Sequence, residues 1–183
     1  MRTRACASSL ITQKPLMNVF TPSDSDSYQI PPSAISAIKA AKQFSDNVPH
    51  NRDLGMLVES LRDSSATMRL PYRDLLIGDS ERDWIYSSVL YSLADATSGM
   101  AVFCALNELT SIATLDLRID YLRPTQAGYD LIAHATCYRL ARQVAFTRCT
   151  LRLEGSNEIC AIATGTFYCG KRTGDRTIST IED

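Results

Sequence analysis

A single carboxylate, Asp95, lies within an apolar stretch of sequence from Trp84 to Leu106. No other side chain in that stretch would carry a charge at neutral pH. A carboxylate among apolar neighbours is costly unless it accepts hydrogen bonds or takes part in a reaction. Asp95 is therefore the first candidate for a general base or a nucleophile. The alternative is a structural acid that is hydrogen-bonded to the backbone.

The residues around Asp95 predict a helix that is buried on nearly every side. At 100° per residue, one broad arc of this helix is apolar throughout. That arc carries Ile85, Val89, Leu93, Ala96, Met100, Phe103 and Cys104. The opposite arc, which is too apolar to face water, carries Ser88, Ser92, Asp95, Gly99, Val102 and Leu106. Such a helix requires other elements to surround it.

The composition of the chain limits the class of protein. With 183 residues and 45% hydrophobic content, the chain is predicted to form one domain plus an extension. A formal net charge of -1 gives no long-range attraction for nucleic acid. The six cysteines show no C-x-x-C spacing, and the two histidines, His50 and His134, are far apart. These features predict neither a metal site nor a disulfide framework, and we expect a reduced, cytoplasmic protein.

The two ends of the chain are predicted to lie outside the folded domain. Residues 1–32 are expected to form a disordered or extended lead-in, within which Met17 is an alternative start to Met1. The domain spans residues 33–170, and a polar tail follows at residues 171–183. No segment approaches about 20 consecutive apolar residues, so no transmembrane helix is predicted.

Periodicity and turn residues predict the order of the elements. A helix begins after an N-cap at Ser33, continues to about Ser45 and is closed by Pro49. A hairpin follows over residues 54–72, and a loop over residues 73–83 leads into the central helix. Four antiparallel strands complete the domain as a meander, over residues 112–122, 129–140, 144–154 and 158–169.

These elements predict an α+β fold in which one curled antiparallel sheet wraps around one long helix, because each covers the apolar surface of the other. In the first strand after the helix, alternation places Leu115 and Leu117 on one face and Thr114 on the other. One curled sheet cannot cover every side of the helix. We therefore expect a second subunit over the remaining arc, in a homodimer.

Four stretches of the chain together match the pattern of a known family: SVLYSLADATSGMAVFCAL, IATLDLRIDYLRPTQAG, LARQVAFTRCTL and ICAIATGTF. Over roughly Leu54 to Cys169, the chain resembles the PaaI-like acyl-CoA thioesterases of the hot-dog superfamily. The resemblance implies a hot-dog fold, an acyl-CoA substrate, and a homodimer or a dimer of dimers. It implies no cofactor, because CoA is part of the substrate.

The resemblance also implies a set of site residues. The family begins its helix with His-Gly-Gly, and those positions are Tyr86, Ser87 and Ser88 here, followed by the family's catalytic carboxylate at Asp95. The backbone N–H of Ser88 would hold the thioester oxygen, and Tyr86 and Ser87 would line the pocket. An upstream Asn of the family corresponds to Ser80. For the two serines, capping of the helix N-terminus is the simpler alternative.

Three further positions match the family on the strands. Thr114 stands where the family places a Ser or Thr that positions the attacking water, although an ordinary strand threonine is the alternative. Arg139 and Arg142 match basic positions near the CoA phosphates, and they could equally be plain surface charges.

Two functional hypotheses follow from these residues. Ser88 and Asp95 are seven residues apart, or about 10 Å along a helix, which is too far for one carbonyl to touch both. An acyl-CoA thioesterase would therefore combine Ser88 of one subunit with Asp95 of the other, as the resembled family does. The alternative is a hot-dog protein that binds an acyl-CoA or acyl-carrier thioester without hydrolysing it, because both glycines of the family pattern are missing. A purely structural role is a third hypothesis.

Overall fold

The computed structural model describes residue 43, residues 45–107 and residues 110–170. The predicted lead-in, the predicted tail and nearly all of the predicted helix from Ser33 to Ser45 lie outside these residues. Two helices are described in full, α1 (Pro49–Leu54) and α2 (Ser87–Leu106). The eight strands are β1 (Leu57–Arg62), β2 (Ser65–Leu70), β3 (Ile77–Asp79), β4 (Trp84–Ile85), β5 (Ile112–Tyr121), β6 (Leu131–Leu140), β7 (Val144–Leu153) and β8 (Ile159–Cys169).

The predicted fold class is confirmed: six antiparallel strands form one sheet that curls around the central helix α2. The order of the strands is β1-β2-β6-β7-β8-β5, and α2 contacts all six of them. Twelve residues of α2 are buried, among them Leu93 and Val102, which are fully enclosed. The short strands β3 and β4 form a separate hairpin beside the start of α2.

The central helix begins three residues later than the apolar pattern indicates. Trp84 and Ile85 belong to strand β4, and Tyr86 is the N-cap in an extended conformation, with φ -64° and ψ 130°. Backbone hydrogen bonds from Ile85 N to Thr125 O and from Tyr86 N to Leu76 O, both 2.9 Å, hold this segment extended. Tertiary pairing therefore overrides the local helical pattern at this end.

Residues 45–47 are helical and Val48 is extended, so a helix ends directly before Pro49, as predicted, and Pro49 also begins the next helix. It occupies the first turn of α1, where a missing backbone N–H costs nothing. Helix α1 ends at Gly55, whose φ of 79° is the left-handed conformation that favours glycine at a helix C-terminus. The short helix that results brings His50 towards α2.

The predicted hairpin over residues 54–72 is confirmed as β1 and β2, but the predicted meander holds only for β6, β7 and β8. Strand β5 pairs with β8 at the edge of the sheet, whereas the other side of β6 pairs with β2. The hairpin therefore extends the meander on one side, and β5 extends it on the other. As a result, one edge of β5 has no partner strand among the described residues.

A β-bulge in β5 changes which of its side chains face the helix. The pairing with β8 shifts register between Thr114 and Asp116. Leu115, predicted on the apolar face with Leu117, is 60% exposed, while Leu117 is buried. The extra residue reverses the alternation, so that Thr114 joins Leu117 on the side of α2. The predicted face of Thr114 and Leu115 is thus wrong, for a reason that alternation alone does not reveal.

Helix α2 is also long and apolar enough, at a mean hydropathy of 1.5, to meet the length and composition criteria of a membrane span. However, 67% of that segment is buried inside the protein, beneath the curled sheet. Helix α2 is therefore the core helix of the domain.

Candidate active site

Asp95 and Thr114 are in direct contact. The Thr114 hydroxyl Oγ1 donates a hydrogen bond of 2.8 Å to Asp95 Oδ1, and the Asp95 carboxylate is half-buried. Among the described residues, no other group donates a hydrogen bond to this carboxylate. The partner is therefore a side-chain hydroxyl rather than the backbone, and the second oxygen, Oδ2, is available to a water molecule or a substrate.

Two tyrosines fix the alignment of α2 along β5. Tyr91 OH donates to Leu117 O, and Tyr121 OH donates to Ser87 O, each at 3.0 Å. Together with the bond between Thr114 and Asp95, these contacts show that α2 runs antiparallel to β5. The N-terminus of the helix lies at the end of β5, and Asp95 lies near its start.

Ser87 and Ser88 lie in the first turn of α2 and are both exposed. Neither is the N-cap, which is Tyr86, and no side chain of the described residues caps this helix. The capping alternative for the two serines is therefore wrong. The first N–H groups of an α-helix have no intrahelical acceptor, and they carry the positive end of the helix dipole. The N–H of Ser88 is accordingly a donor that a negatively charged oxygen could use.

A cleft of about 490 Å³ opens beside this N-terminus. It is lined by Gly78, Asp79, Trp84, Ile85, Tyr86, Ser87, Leu90, Tyr121, Leu122, Arg123, Pro124 and Thr125. Three aromatic rings and several aliphatic side chains make its wall largely apolar, which is typical of small-molecule sites. Tyr86 and Ser87 belong to this wall, as the resemblance implies, while Ser88 does not line it.

The hairpin of β3 and β4 forms one side of the cleft. Ser80 lies in its turn and does not line the cleft, whereas the preceding Asp79 does. The guanidinium of Arg82, at 2.7 Å, and two backbone N–H groups lower the pKa of the Asp79 carboxyl. Gly78 is required here because a Cβ would lie 2.5 Å from the ring of Tyr86. Sequence reasoning missed Asp79 and also Tyr121, which reaches the helix from the far end of β5.

Arg139 and Arg142 are exposed at the end of the β6 and β7 hairpin. Two strands, β7 and β8, separate β6 from β5, so about 14 Å of sheet lies between these arginines and Thr114. Val144, which begins β7, pairs with Tyr168, and Tyr168 pairs with Ala113. Within one chain the arginines therefore lie at the Thr114 end of the sheet but outside the site.

Four of the described cysteines, which are buried or half-buried, are poor candidates for a nucleophile. Burial raises the pKa of the Cys149 thiol to about 12 and that of the Cys104 thiol to about 11. Burial likewise raises the pKa of Cys137 and of Cys160. The reactive form of cysteine is the thiolate, which these sites disfavour.

We expect that iodoacetamide at pH 7.5 leaves any activity of the protein unchanged, because the thiols of Cys104, Cys137, Cys149 and Cys160 stay protonated. Mass spectrometry of the treated protein should find these four cysteines unmodified after an hour, and full modification after unfolding in urea. Rapid alkylation of Cys149 in the folded protein, with loss of activity, would contradict this expectation.

No group of three or more His, Cys, Asp and Glu side chains comes together as a metal site requires within residues 45–107 and 110–170. The five cysteines of that part of the chain are free thiols. The candidate site thus consists of a carboxylate paired with a hydroxyl, a helix N-terminus and a largely apolar cleft.

Comparison with known proteins agrees with this description. The family model of the thioesterase superfamily matches residues 84–160, which include Asp95 and Thr114. A protein of Halobacterium salinarum whose name suggests an esterase is 36% identical over 95 residues, which cover 50% of this chain and 61% of that protein's length. The medium/long-chain acyl-CoA thioesterase YigI of Escherichia coli is 27% identical over 152 residues, which cover 75% of this chain and 97% of that protein.

Solved structures share the fold over nearly their whole length. A protein from Pseudomonas aeruginosa aligns with a TM-score of 0.65 and 32% identity, covering 72% of this chain and 98% of that chain. A mutant of the phenylacetic acid degradation protein PaaI from Thermus thermophilus aligns with a TM-score of 0.58 and 28% identity, covering 66% of this chain and 97% of that chain. The chain is therefore a PaaI-like member of the thioesterase superfamily with the hot-dog fold.

Proposed function

We propose that this protein hydrolyses an acyl-CoA thioester to a free acid and CoA, with Asp95 as the general base. The observation that carries the proposal is the hydrogen bond of 2.8 Å from Thr114 to Asp95 on the core helix. Thr114 fixes one carboxylate oxygen, and the other accepts a proton from water. A base held in this way activates a water molecule, and the oxygen of that water attacks the thioester carbonyl carbon.

The negative charge that develops on the carbonyl oxygen needs a donor, and we propose the N–H of Ser88. It lies at the positive end of α2, where a backbone N–H lacks an intrahelical acceptor. Such donors stabilise an oxyanion without needing a particular side chain, so the change from glycine to serine keeps the essential group.

Ser88 and Asp95 of one chain are about 10 Å apart along α2, so we propose that each site forms between two subunits. The open edge of β5 supports this proposal. Leu115, Tyr121 and Leu122 are exposed along this edge and the residue that follows it, and unpaired edges with apolar side chains favour pairing with another chain. A two-fold dimer would then contain two identical sites, each with Ser88 of one subunit and Asp95 of the other. A dimer of two such dimers is compatible with the same site.

For the substrate we propose an acyl-CoA with an apolar acyl group of medium or long chain. The cleft beside Ser87 is largely apolar and of a volume typical of small-molecule sites. The name of the Escherichia coli relative gives the same substrate class. Arg139 and Arg142 are proposed to contact the CoA phosphates, because guanidinium groups bind phosphate well and both side chains are exposed. No separate cofactor is proposed.

The proposal is tested by incubating the purified protein with acyl-CoAs from acetyl to palmitoyl, together with phenylacetyl-CoA, and measuring free thiol. We expect turnover, with higher kcat/KM for the longer apolar acyl groups than for acetyl. The absence of thiol release from the whole panel would contradict the proposal.

Replacing Thr114 with valine removes the hydroxyl that fixes Asp95 and keeps the shape of the side chain. We expect kcat for acyl-CoA hydrolysis to fall roughly 10- to 100-fold, because the general base loses its orientation. The matched variant Thr114→Ser keeps a hydroxyl and should retain most of the rate. Equal rates for the valine and serine variants would show that the hydrogen bond has no part in the reaction.

A hot-dog protein that binds acyl-CoA without hydrolysing it is the second candidate, favoured by the loss of the glycine pair at Ser87 and Ser88. Calorimetry with palmitoyl-CoA would then give tight binding without thiol release. The double variant Ser87→Gly with Ser88→Gly distinguishes the two candidates. Under the hydrolase proposal its rate should stay within about tenfold of wild type, because the N–H of residue 88 is present in both. A large gain from an inactive wild type would favour the binding protein.

A further inference from the structure

A second pair of polar side chains involves Ser92, which lies one helical turn before Asp95. His50 Nε2 is 2.9 Å from Ser92 Oγ, which is a hydrogen bond between α1 and the core helix. His50 is exposed, and Ser92 is half-buried. We call these two residues the His50–Ser92 pair. Neither His50 nor Ser92 is among the site residues that the family resemblance implies.

Helix α1 is held in place by contacts that do not involve His50. Arg73 Nη2 donates to Asp53 O at 2.6 Å. Asn51, next to His50, is buried and donates from Nδ2 to Ser45 Oγ at 3.3 Å. The imidazole therefore projects from an anchored segment, and its position over α2 is fixed by the fold.

The geometry of α2 places this pair next to the carboxylate. Ser92 precedes Asp95 by three residues, which amounts to about 4.5 Å along the helix and about 60° around it. Side chains at this spacing are neighbours on the helix surface. The Asp95 carboxylate thus accepts a hydrogen bond from Thr114 of β5 and has Ser92, which is joined to an imidazole, as a neighbour on its own helix.

The reaction proposed above assigns no residue to the protonation of the leaving thiol. When the C–S bond breaks, its electron pair goes to the sulfur of CoA, and a proton donor near that sulfur stabilises the leaving group. Histidine is the most common proton donor in enzymes at neutral pH. The His50–Ser92 pair is the described histidine site that lies beside Asp95, because His134 is instead bonded to Thr67 on the sheet.

We infer that His50 is the general acid of this site and that it acts through Ser92; the inference rests on the proposed hydrolysis. Water attacks the carbonyl carbon, and Asp95 takes one proton from it. As the C–S bond breaks, Ser92 Oγ gives its proton to sulfur and receives the Nε2 proton of the His50 imidazolium. The products are the acid and CoA thiol. Asp95 then loses its proton, and His50 regains one, by exchange with solvent.

The test compares two leaving groups in the full-length protein. One substrate is octanoyl-CoA, and the other is the octanoyl thioester of 4-nitrothiophenol, whose aryl thiolate leaves without a proton. We expect His50→Gln, which keeps a hydrogen-bonding side chain near Ser92, and Ser92→Ala to lower kcat for octanoyl-CoA roughly 10²-fold. Both variants should hydrolyse the aryl thioester within about threefold of the wild-type rate. The control variant His134→Gln should behave as wild type with both substrates.

The outcomes separate this inference from the hydrolase proposal. If the wild-type protein hydrolyses octanoyl-CoA and His50→Gln does so equally fast, the general-acid role is wrong while the hydrolase proposal stands. An equal loss with both substrates would also overturn the role, because it indicates structural damage or a nucleophilic Ser92. The general-acid role would be supported if His50→Gln melts within a few degrees of wild type and hydrolyses the aryl thioester at close to the wild-type rate.

Discussion

Replacing Asp95 with asparagine is expected to lower kcat for acyl-CoA hydrolysis roughly 10²- to 10⁴-fold, which is the range that a general base contributes. Asparagine has nearly the same shape and still offers an oxygen to the Thr114 hydroxyl, which now donates to Asp95 at 2.8 Å. It cannot take a proton from water. The measurement is steady-state thiol release with the preferred acyl-CoA, and KM should change much less than kcat.

The melting temperature of Asp95→Asn is the control that its fold is intact. The substituted side chain is half-buried and keeps its hydrogen bond, so the melting temperature should stay within a few degrees of wild type. If Asp95→Asn keeps more than a tenth of the wild-type kcat, Asp95 is a structural acid and the hydrolysis uses another base.

A second large loss of kcat is expected for Ser88→Pro, because proline removes the backbone N–H that is proposed to hold the thioester oxygen. Loss of one such donor lowers kcat by about 10²- to 10³-fold in enzymes with an oxyanion hole. Ser88 lies in the first turn of α2, where proline is tolerated because the N–H has no intrahelical partner. Thiol release under saturating substrate reports the effect.

The matched variant is Ser88→Ala, which removes the hydroxyl and keeps the N–H. It should retain most of the activity, since the proposed donor belongs to the backbone. Proline disfavours a helical conformation at the preceding Ser87, so the melting temperature of Ser88→Pro must be compared with that of wild type. If alanine and proline reduce the rate equally, the hydroxyl rather than the N–H is the important group.

The sequence was sufficient to predict the fold because its strongest signals act locally. The helix around Asp95 is apolar on nearly all sides, and β6, β7 and β8 each follow a turn signal. The first residues of that helix were predicted wrongly, since Trp84 and Ile85 continue its apolar pattern but pair with backbone groups of residues distant in sequence. The helix that begins at Pro49 was not predicted, because its six residues are too few to show a periodic apolar pattern.

The site was predicted less completely than the fold. Asp95 was identified as a lone carboxylate in an apolar helix and Thr114 through a family resemblance, but their contact depends on the bulge at Leu115, which reverses the alternation of β5. Bulges follow from pairing with a neighbouring strand and leave little signal in the strand's own sequence. The contact of His50 with Ser92 joins residues 42 positions apart, so it required the three-dimensional arrangement of α1 over α2.

Subunit complementation tests the central claim, which is that each site combines Ser88 of one subunit with Asp95 of the other. The Asp95→Asn and Ser88→Pro chains are co-expressed with different tags, and the mixed dimers are purified through both tags. In such a dimer one site contains both defects, and the other contains an intact Ser88 and an intact Asp95. The account predicts that each variant alone has at most about one hundredth of the wild-type rate. The mixed dimer should recover about half of the wild-type rate per dimer, as expected for one intact site of two. Mixed dimers as inactive as their parents would contradict the account, because they would show that each site lies within one chain.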